Sequence, residues 1–198
     1  MKIAPIIKTH LLNFLLTAAC ATAGPIGYVI NFSGQFGTMD LGTGAFTPIG
    51  PGTPNTPDGI AGAPGGPSYT VDGVNGHLLR ISPNGTITDV GNTGTGSNNG
   101  PFGVSVIGGL TNGSLFALDF ANRLFSIDTS NGTLGLLGTL ALPTQEDAYI
   151  GNMTTSLNGN GSLLYYTLEI SDGPNQIGPT LFRINPVTLA ISDRKSVV

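Results

Sequence analysis

Asn31, Asp72, Asp119 and Glu169 are the residues of this chain whose types and spacing could do chemistry. Each ends a pattern of aromatic, spacer, aliphatic, then acid or amide: Tyr28-Val29-Ile30-Asn31, Tyr69-Thr70-Val71-Asp72, Phe116-Ala117-Leu118-Asp119 and Tyr166-Thr167-Leu168-Glu169. Oxygen donors that recur at one level of a repeat and converge on an axis could hold a hard cation such as Ca²⁺. The same residue types also cap turns, because a short carboxylate or amide reaches nearby backbone N–H groups. Capping is the expectation here. One donor per repeat supplies fewer oxygens than the roughly six to eight that Ca²⁺ takes.

Other candidates are weaker. Arg80 and Arg183 stand at equivalent places in their repeats, where they could meet a carboxylate or phosphate. Solvent-facing strand positions beside acidic neighbours are the expected reading. Asp128-Thr129-Ser130-Asn131-Gly132 begins like a calcium loop, but it lacks the alternating acids and the distal Glu. Glu146-Asp147 lies in a connector and reads as a solvated loop rather than a catalytic pair. The two histidines are His10 and His77, and the one cysteine is Cys20. No Ser–His–Asp or Cys–His set is specified, and a zinc site is not expected. There is no Walker loop and no dinucleotide fingerprint. Asn84, Asn112, Asn131 and Asn160 match the glycosylation sequon, yet each falls in an Asn-Gly turn. No cofactor is expected.

The elements that must position these residues show in a second motif. Phe36-Gly37-Thr38-Met39-Asp40, Leu78-Leu79-Arg80-Ile81-Ser82, Leu124-Phe125-Ser126-Ile127-Asp128 and Leu181-Phe182-Arg183-Ile184-Asn185 follow the first motif in turn. The first motif recurs after 41, 47 and 50 residues and the second after 42, 46 and 57. Paired strand motifs at this period indicate a β-propeller, in which each repeat is one four-stranded antiparallel blade. An immunoglobulin-like sandwich would not repeat both motifs four times.

The third unit parses into strands at Phe102–Ile107, Leu115–Phe120, Arg123–Ile127 and Thr133–Leu137. The second parses into Gly59–Ala63, Tyr69–Asp72, Leu78–Ile81 and Thr86–Val90, with Asn-Gly turns between strands. The first unit, Tyr28–Gly50, has three strands and lacks an inner one. The fourth begins near Ile150, carries an insertion at Ser171–Pro179 and is cut off near Ser192. The expectation is an all-β, incomplete propeller of about four blades or part-blades, with some sheet edges unpaired.

Glycine (31) and proline (14) together approach the level of low-complexity chains. The regular aromatic–aliphatic clusters and a hydrophobic fraction of 39% argue for a packed fold instead. Residues 1–23 read as a secretory signal peptide. Lys2 and Lys8 give a positive start, Leu11–Ala21 is a short apolar run, and Ala21-Thr22-Ala23 places cleavage before Gly24. Leu16-Thr17-Ala18-Ala19-Cys20 also resembles a lipoprotein signal, with its aliphatic residue one place early. Residues 193–198, Asp-Arg-Lys-Ser-Val-Val, break the composition and read as a non-native tail, so the natural protein is expected to continue beyond Ser192. Residues 24–192 hold three arginines against ten acids, a net charge of −7. That balance argues against nucleic acid and anionic membranes, and no membrane span is expected in the mature region.

The stretch Pro57-Asp58-Gly59-Ile60-Ala61 through His77-Leu78-Leu79-Arg80-Ile81-Ser82-Pro83-Asn84-Gly85-Thr86 resembles blades of NHL and gluconolactonase-like propellers. Ile127 to Gly138 is similar to blades of secreted bacterial proteins, many of which end in a PEP-CTERM sorting tail. The resemblance implies an exported, cell-surface or extracellular propeller that acts as a noncatalytic binding or scaffold module, its partner unspecified. It also implies an alternative, a lactonase-like hydrolase with a metal in the central channel. Such enzymes need several acid and amide ligands near the axis. Here Asp58 and Asn152 are the candidates at first-strand starts, so the expectation is no enzyme.

Overall fold

In the computed structural model the described residues are 24–62, 66–96, 104–142, 148–155, 163–169 and 180–196. They form four antiparallel sheets, each built from strands consecutive in the chain. Blade 1 holds β1 (Ile26–Ile30), β2 (Phe36–Asp40) and β3 (Phe46–Pro48). Blade 2 holds β4 (Ala61–Gly62), β5 (Ser68–Val71), β6 (His77–Ile81) and β7 (Ile87–Asn92). Blade 3 holds β8 (Val104–Gly109), β9 (Leu115–Asp119), β10 (Arg123–Ile127) and β11 (Leu134–Thr139). Blade 4 holds β12 (Ala148–Thr155), β13 (Leu163–Glu169), β14 (Thr180–Ile184) and β15 (Ile191–Ser196).

Alternation along each strand decides which blade a side chain meets. On blade 3, Ile107, Leu115, Ala117 and Ile127 turn to blade 2, where Ala61, Val71 and Leu78 complete one buried cluster. Val106, Phe116, Leu118 and Leu124 turn the other way and meet Met153, Phe182 and Ile184 of blade 4. Both faces of the blade are therefore apolar, as in strands buried on two sides. Blade 1 contributes the buried Phe36, with Tyr28 stacked on it at 5.5 Å between ring centroids.

Blade 1 has three strands. By motif β1 matches β5 and β9, each of which pairs with an inner strand, β4 or β8. Among the described residues β1 pairs with β2 alone. Asn31 N–H bonds the Gln35 carbonyl, and Leu41 N–H bonds that of Pro25, which fixes the ladder parity. Gly27 and Val29 then direct their backbone groups to β2, whereas Ile26, Tyr28 and Ile30 direct theirs to the open edge.

Strand boundaries differ from the sequence expectation in a regular way. The fourth strands start one residue late because Thr86 and Thr133 close the preceding turns, accepting from Ser82 and Asp128 N–H. They then run on through bulges at Val90 and Leu137, which oppose no residue of β6 or β10. Blade 4, expected to break off near Ser192, has a fourth strand that includes residues 193–196. Sheet pairing is a backbone property, so the charged tail can extend β15 whatever its origin.

The junctions between blades have one recurring device. In blades 2, 3 and 4 the turn before the fourth strand lies against the last strand of the preceding blade or the residues just after it. Gly85 meets Gly50, and Gly132 meets Gly91 so closely that a Cβ on Gly91 would collide with the Asn131 carbonyl. At the third junction the turn residue is Leu189, whose side chain covers Gly138. Leu189 has φ 59°, the left-handed conformation that Gly44 (74°) and Gly132 (81°) adopt at the same turn position.

Candidate functional site

The described members of the polar column, Asn31, Asp72 and Asp119, cap turns. Asn31 Oδ1 accepts from Ser33 N–H (3.1 Å), Ser33 Oγ (2.8 Å) and Gln35 N–H (2.9 Å). Asp119 Oδ1 accepts from Ala121 N–H (2.9 Å) and Arg123 N–H (2.8 Å). Its Oδ2 takes both Arg123 Nε (2.7 Å) and Nη2 (2.6 Å). Asp72 Oδ1 accepts from Val74 N–H (2.9 Å) and Asn75 N–H (3.1 Å), and Oδ2 from Asn55 Nδ2 (2.7 Å) and Asn75 Nδ2 (3.2 Å). Glu169 ends β13 opposite Ala148, and its side chain lies outside the described part of the structure.

Each cap bends the chain through a residue at positive φ: Gly34 (79°), Gly76 (71°) and Asn122 (59°). The carbonyls of these three residues are then free of the ladder. The connector that leaves each blade takes them, through Thr53 N–H (2.7 Å), Thr93 N–H (2.9 Å) and Leu140 N–H (2.8 Å). Caps and connectors thus share one face of the propeller, as the strand order requires. No three acids, histidines or cysteines come together in a metal-holding group among the described residues.

The structure does bring one carboxyl pair together. Asp58 lies just before β4, its N–H on the Val71 carbonyl (2.9 Å), while Pro57 bridges Asp72. Burial, and then the charge of Asp72, push the Asp58 carboxyl up to about 7. Burial works to raise Asp72 as well. The donors from Asn55, Asn75 and Val74 outweigh it and hold that carboxylate below its ordinary value. The sequence names Asp58 as a first-strand acid but not its partner, because residues 14 apart meet only when β4 and β5 pair.

The remaining candidates resolve into local chemistry. Asp128 Oδ1 takes Ser130 N–H (2.8 Å) and Oγ (2.7 Å), which lowers its pKa and explains the calcium-loop likeness. The amide oxygens of Asn84, Asn112 and Asn131 accept from the N–H of the Thr or Ser two residues on, so the sequon pattern is an Asx-turn pattern. His77 Nδ1 lies 2.7 Å from Asp89 Oδ2 across the β6–β7 pair. Arg80 is exposed on β6, as expected. Arg183 departs from that expectation: its Nε is buried and lacks a partner among the described residues. Glu146, Asp147, Asn160, Cys20 and His10 lie outside the described residues, and the side chain of Asn152 is not described. An open groove of about 540 Å³ between blades 3 and 4 was not foreseen. Leu110, Phe116, Leu137, Pro186 and Val187 form its apolar walls. Pro186-Val187, standing where blade 3 has Thr129-Ser130, is the sequence signal for it.

No protein-family model matches the chain, and no curated protein matches it in sequence. Solved structures do. Virginiamycin B lyase from Staphylococcus aureus matches with a TM-score of 0.51 at 17% identity, over 89% of this chain and 55% of the lyase. A protein of unknown function from Bacteroides thetaiotaomicron matches with a TM-score of 0.52 at 13% identity, over 80% of this chain and 38% of its own. YCF48, solved with a D1 peptide, matches with a TM-score of 0.50 at 11% identity, over 89% and 52%. The chain is an all-β, incomplete β-propeller. It spans about half the length of these structures or less, and identities this low speak for the fold alone.

Proposed function

We propose that this chain is an exported, noncatalytic β-propeller module that binds a partner at the cell surface or in the extracellular matrix. The observation that carries the reading is the spending of the polar column. Asn31, Asp72 and Asp119 hold turns and connectors in place, so they serve the scaffold on which loops are displayed. The leader-like residues 1–23 support export. The likeness of Ile127–Gly138 to blades of secreted bacterial proteins, PEP-CTERM-type proteins among them, supports a surface location.

The alternative, a lactonase-like hydrolase with a channel metal, draws support from Asp58, whose carboxyl faces Asp72 at the start of β4. One protein sample tests both readings. The full chain is expressed in a bacterial host, fractionated, and its mature mass measured. A mass beginning at Gly24 in the envelope or medium agrees with export; retention in the cytoplasm with residues 1–23 intact refutes it. Thermal unfolding is then followed with excess Ca²⁺ and with chelator, since a ligand of the folded state must raise stability by mass action. An unchanged midpoint and no lactone hydrolysis agree with the noncatalytic reading. A large upward shift lost in Asp72→Ala, together with lactone hydrolysis, establishes the enzyme.

A further inference from the structure

We propose that Asp58 and Asp72 form a proton-operated clasp on the connector between blades 1 and 2. The connector is pinned at both ends. Thr53 N–H bonds the Gly34 carbonyl of the blade 1 turn (2.7 Å), and Asn55 Nδ2 reaches Asp72 Oδ2 of the blade 2 turn (2.7 Å). Two backbone bonds then fasten its far end to blade 2: Gly73 N–H to the Thr56 carbonyl (2.9 Å) and Asp58 N–H to the Val71 carbonyl (2.9 Å).

The two carboxyls have opposite surroundings. Asp72 is 3% exposed and accepts four N–H donors, so its anion is stabilised well below neutral pH. The half-buried Asp58 carboxyl takes no hydrogen bond from the described residues. Its Oδ1 abuts Gly73, where a Cβ would stand only 2.8 Å away. Asp72 is the charged group that faces it among the described residues. His77, whose carbonyl accepts from Asp72 N–H, has its ring on Asp89 instead.

A neutral Asp58 sits beside the Asp72 anion without repulsion. Once Asp58 ionises, two carboxylates share one small, partly dry space with no cation between them. Moving Pro57–Asp58 away from Val71–Gly73 relieves the repulsion and breaks the two backbone bonds there. The sign is fixed by linkage. The folded chain holds the Asp58 proton more tightly than the unfolded chain. The clasp is therefore intact on the acid side and weakens as pH rises from the ordinary aspartate value to about 7. Above neutral pH the connector opens on the channel face between blades 1 and 2, whether or not the protein is bound at a surface.

Hydrogen exchange of the Asp58 and Gly73 amides in the full chain tests this. Rates are divided by the intrinsic rates and compared at about pH 5.5, part-way through that window, and at about pH 8.5, above it. In the wild type, protection of both amides is expected to fall by about tenfold or more at the higher pH, the equivalent of one pKa unit. In Asp58→Asn, protection is expected to be the same at both. Equal protection in the wild type, or an equal fall in Asp58→Asn, overturns the clasp. Carboxyl-carbon NMR of the wild type needs no variant: Asp58 is expected to titrate near neutral pH, and titration in the ordinary aspartate range refutes the proposal.

Discussion

Replacing Leu189 tests whether backbone strain or side-chain packing rules the junction between blades 3 and 4. The turn runs from Asn185 to Ala190. Its Leu189 N–H bonds the Asn185 carbonyl (2.8 Å), as Gly44 N–H bonds Asp40 (2.7 Å) and Gly132 N–H bonds Asp128 (2.8 Å). Leucine in the left-handed region costs about 1–2 kcal/mol that glycine does not pay. In return the half-buried side chain packs on the blade 3–4 cluster and covers Gly138. Burying about half of a leucine contributes about 1 kcal/mol, and the void it would leave adds somewhat more. Leu189→Ala loses that packing and keeps the strain, so it should destabilise by about 1–2 kcal/mol. Leu189→Gly loses the same packing but sheds the strain, offset by about 0.5–1 kcal/mol of extra chain entropy when unfolded. Glycine should therefore match alanine here or exceed it in stability. At an ordinary strand or turn position with negative φ, alanine is the more stable of the two. Urea unfolding followed by circular dichroism, with equal m-values for all three proteins, gives the order. If Leu189→Ala proves clearly more stable than Leu189→Gly, the left-handed conformation at this turn is wrong.

Two further outcomes are expected. Asp119→Ala removes two backbone caps and the carboxylate that Arg123 bonds, so it should destabilise by about 2–4 kcal/mol in the same assay. Asp119→Asn keeps an acceptor and should recover part of the loss; equal damage from both would show that the cap contributes nothing. Ile26→Lys places a charge on the open edge of β1, where Ile26 is 64% exposed. It should slow aggregation, measured by light scattering on warming, with an unchanged unfolding midpoint, because lysine guards exposed edges. Faster or unchanged aggregation would show that this edge is not the point of association.

The blades were legible because their signals are local. Phe116–Asp119 and Leu124–Ile127 announce strands by composition and alternation, and Asn-Gly pairs mark where they turn. Arg123–Ile127 was placed to the residue. The start of the inner strand of blade 2 was not: it was expected at Gly59 and lies at Ala61. Just before it, the Thr56 carbonyl and the Asp58 N–H are held by single bonds to Gly73 and Val71 rather than by a ladder, and no local pattern encodes that. Leu189 was illegible for a related reason. Nothing in Pro186-Val187-Thr188-Leu189 signals a left-handed residue, and the turn imposes it through the Asn185 carbonyl.

The capping column shows how one structural role leaves different electrostatic debts. At Asn31 the cap is neutral and exposed, so its position costs little. At Asp119 the cap is buried to 2% exposure, and Arg123 neutralises it through two nitrogens. At Asp72 the cap is buried to 3%, but amide donors replace the cation. Amides stabilise an anion without cancelling its charge, so the field of Asp72 extends to whatever lies beside it. The chain places Asp58 there, at the point where the connector enters blade 2. Arg123 faces Asp119 across its turn and sets its guanidinium on the cap; the residue that faces Asp72 is His77, whose ring turns to Asp89 instead. The pH sensitivity proposed for this junction therefore follows from the burial of Asp58 and, after it, from the charge of a cap that amides rather than a cation hold.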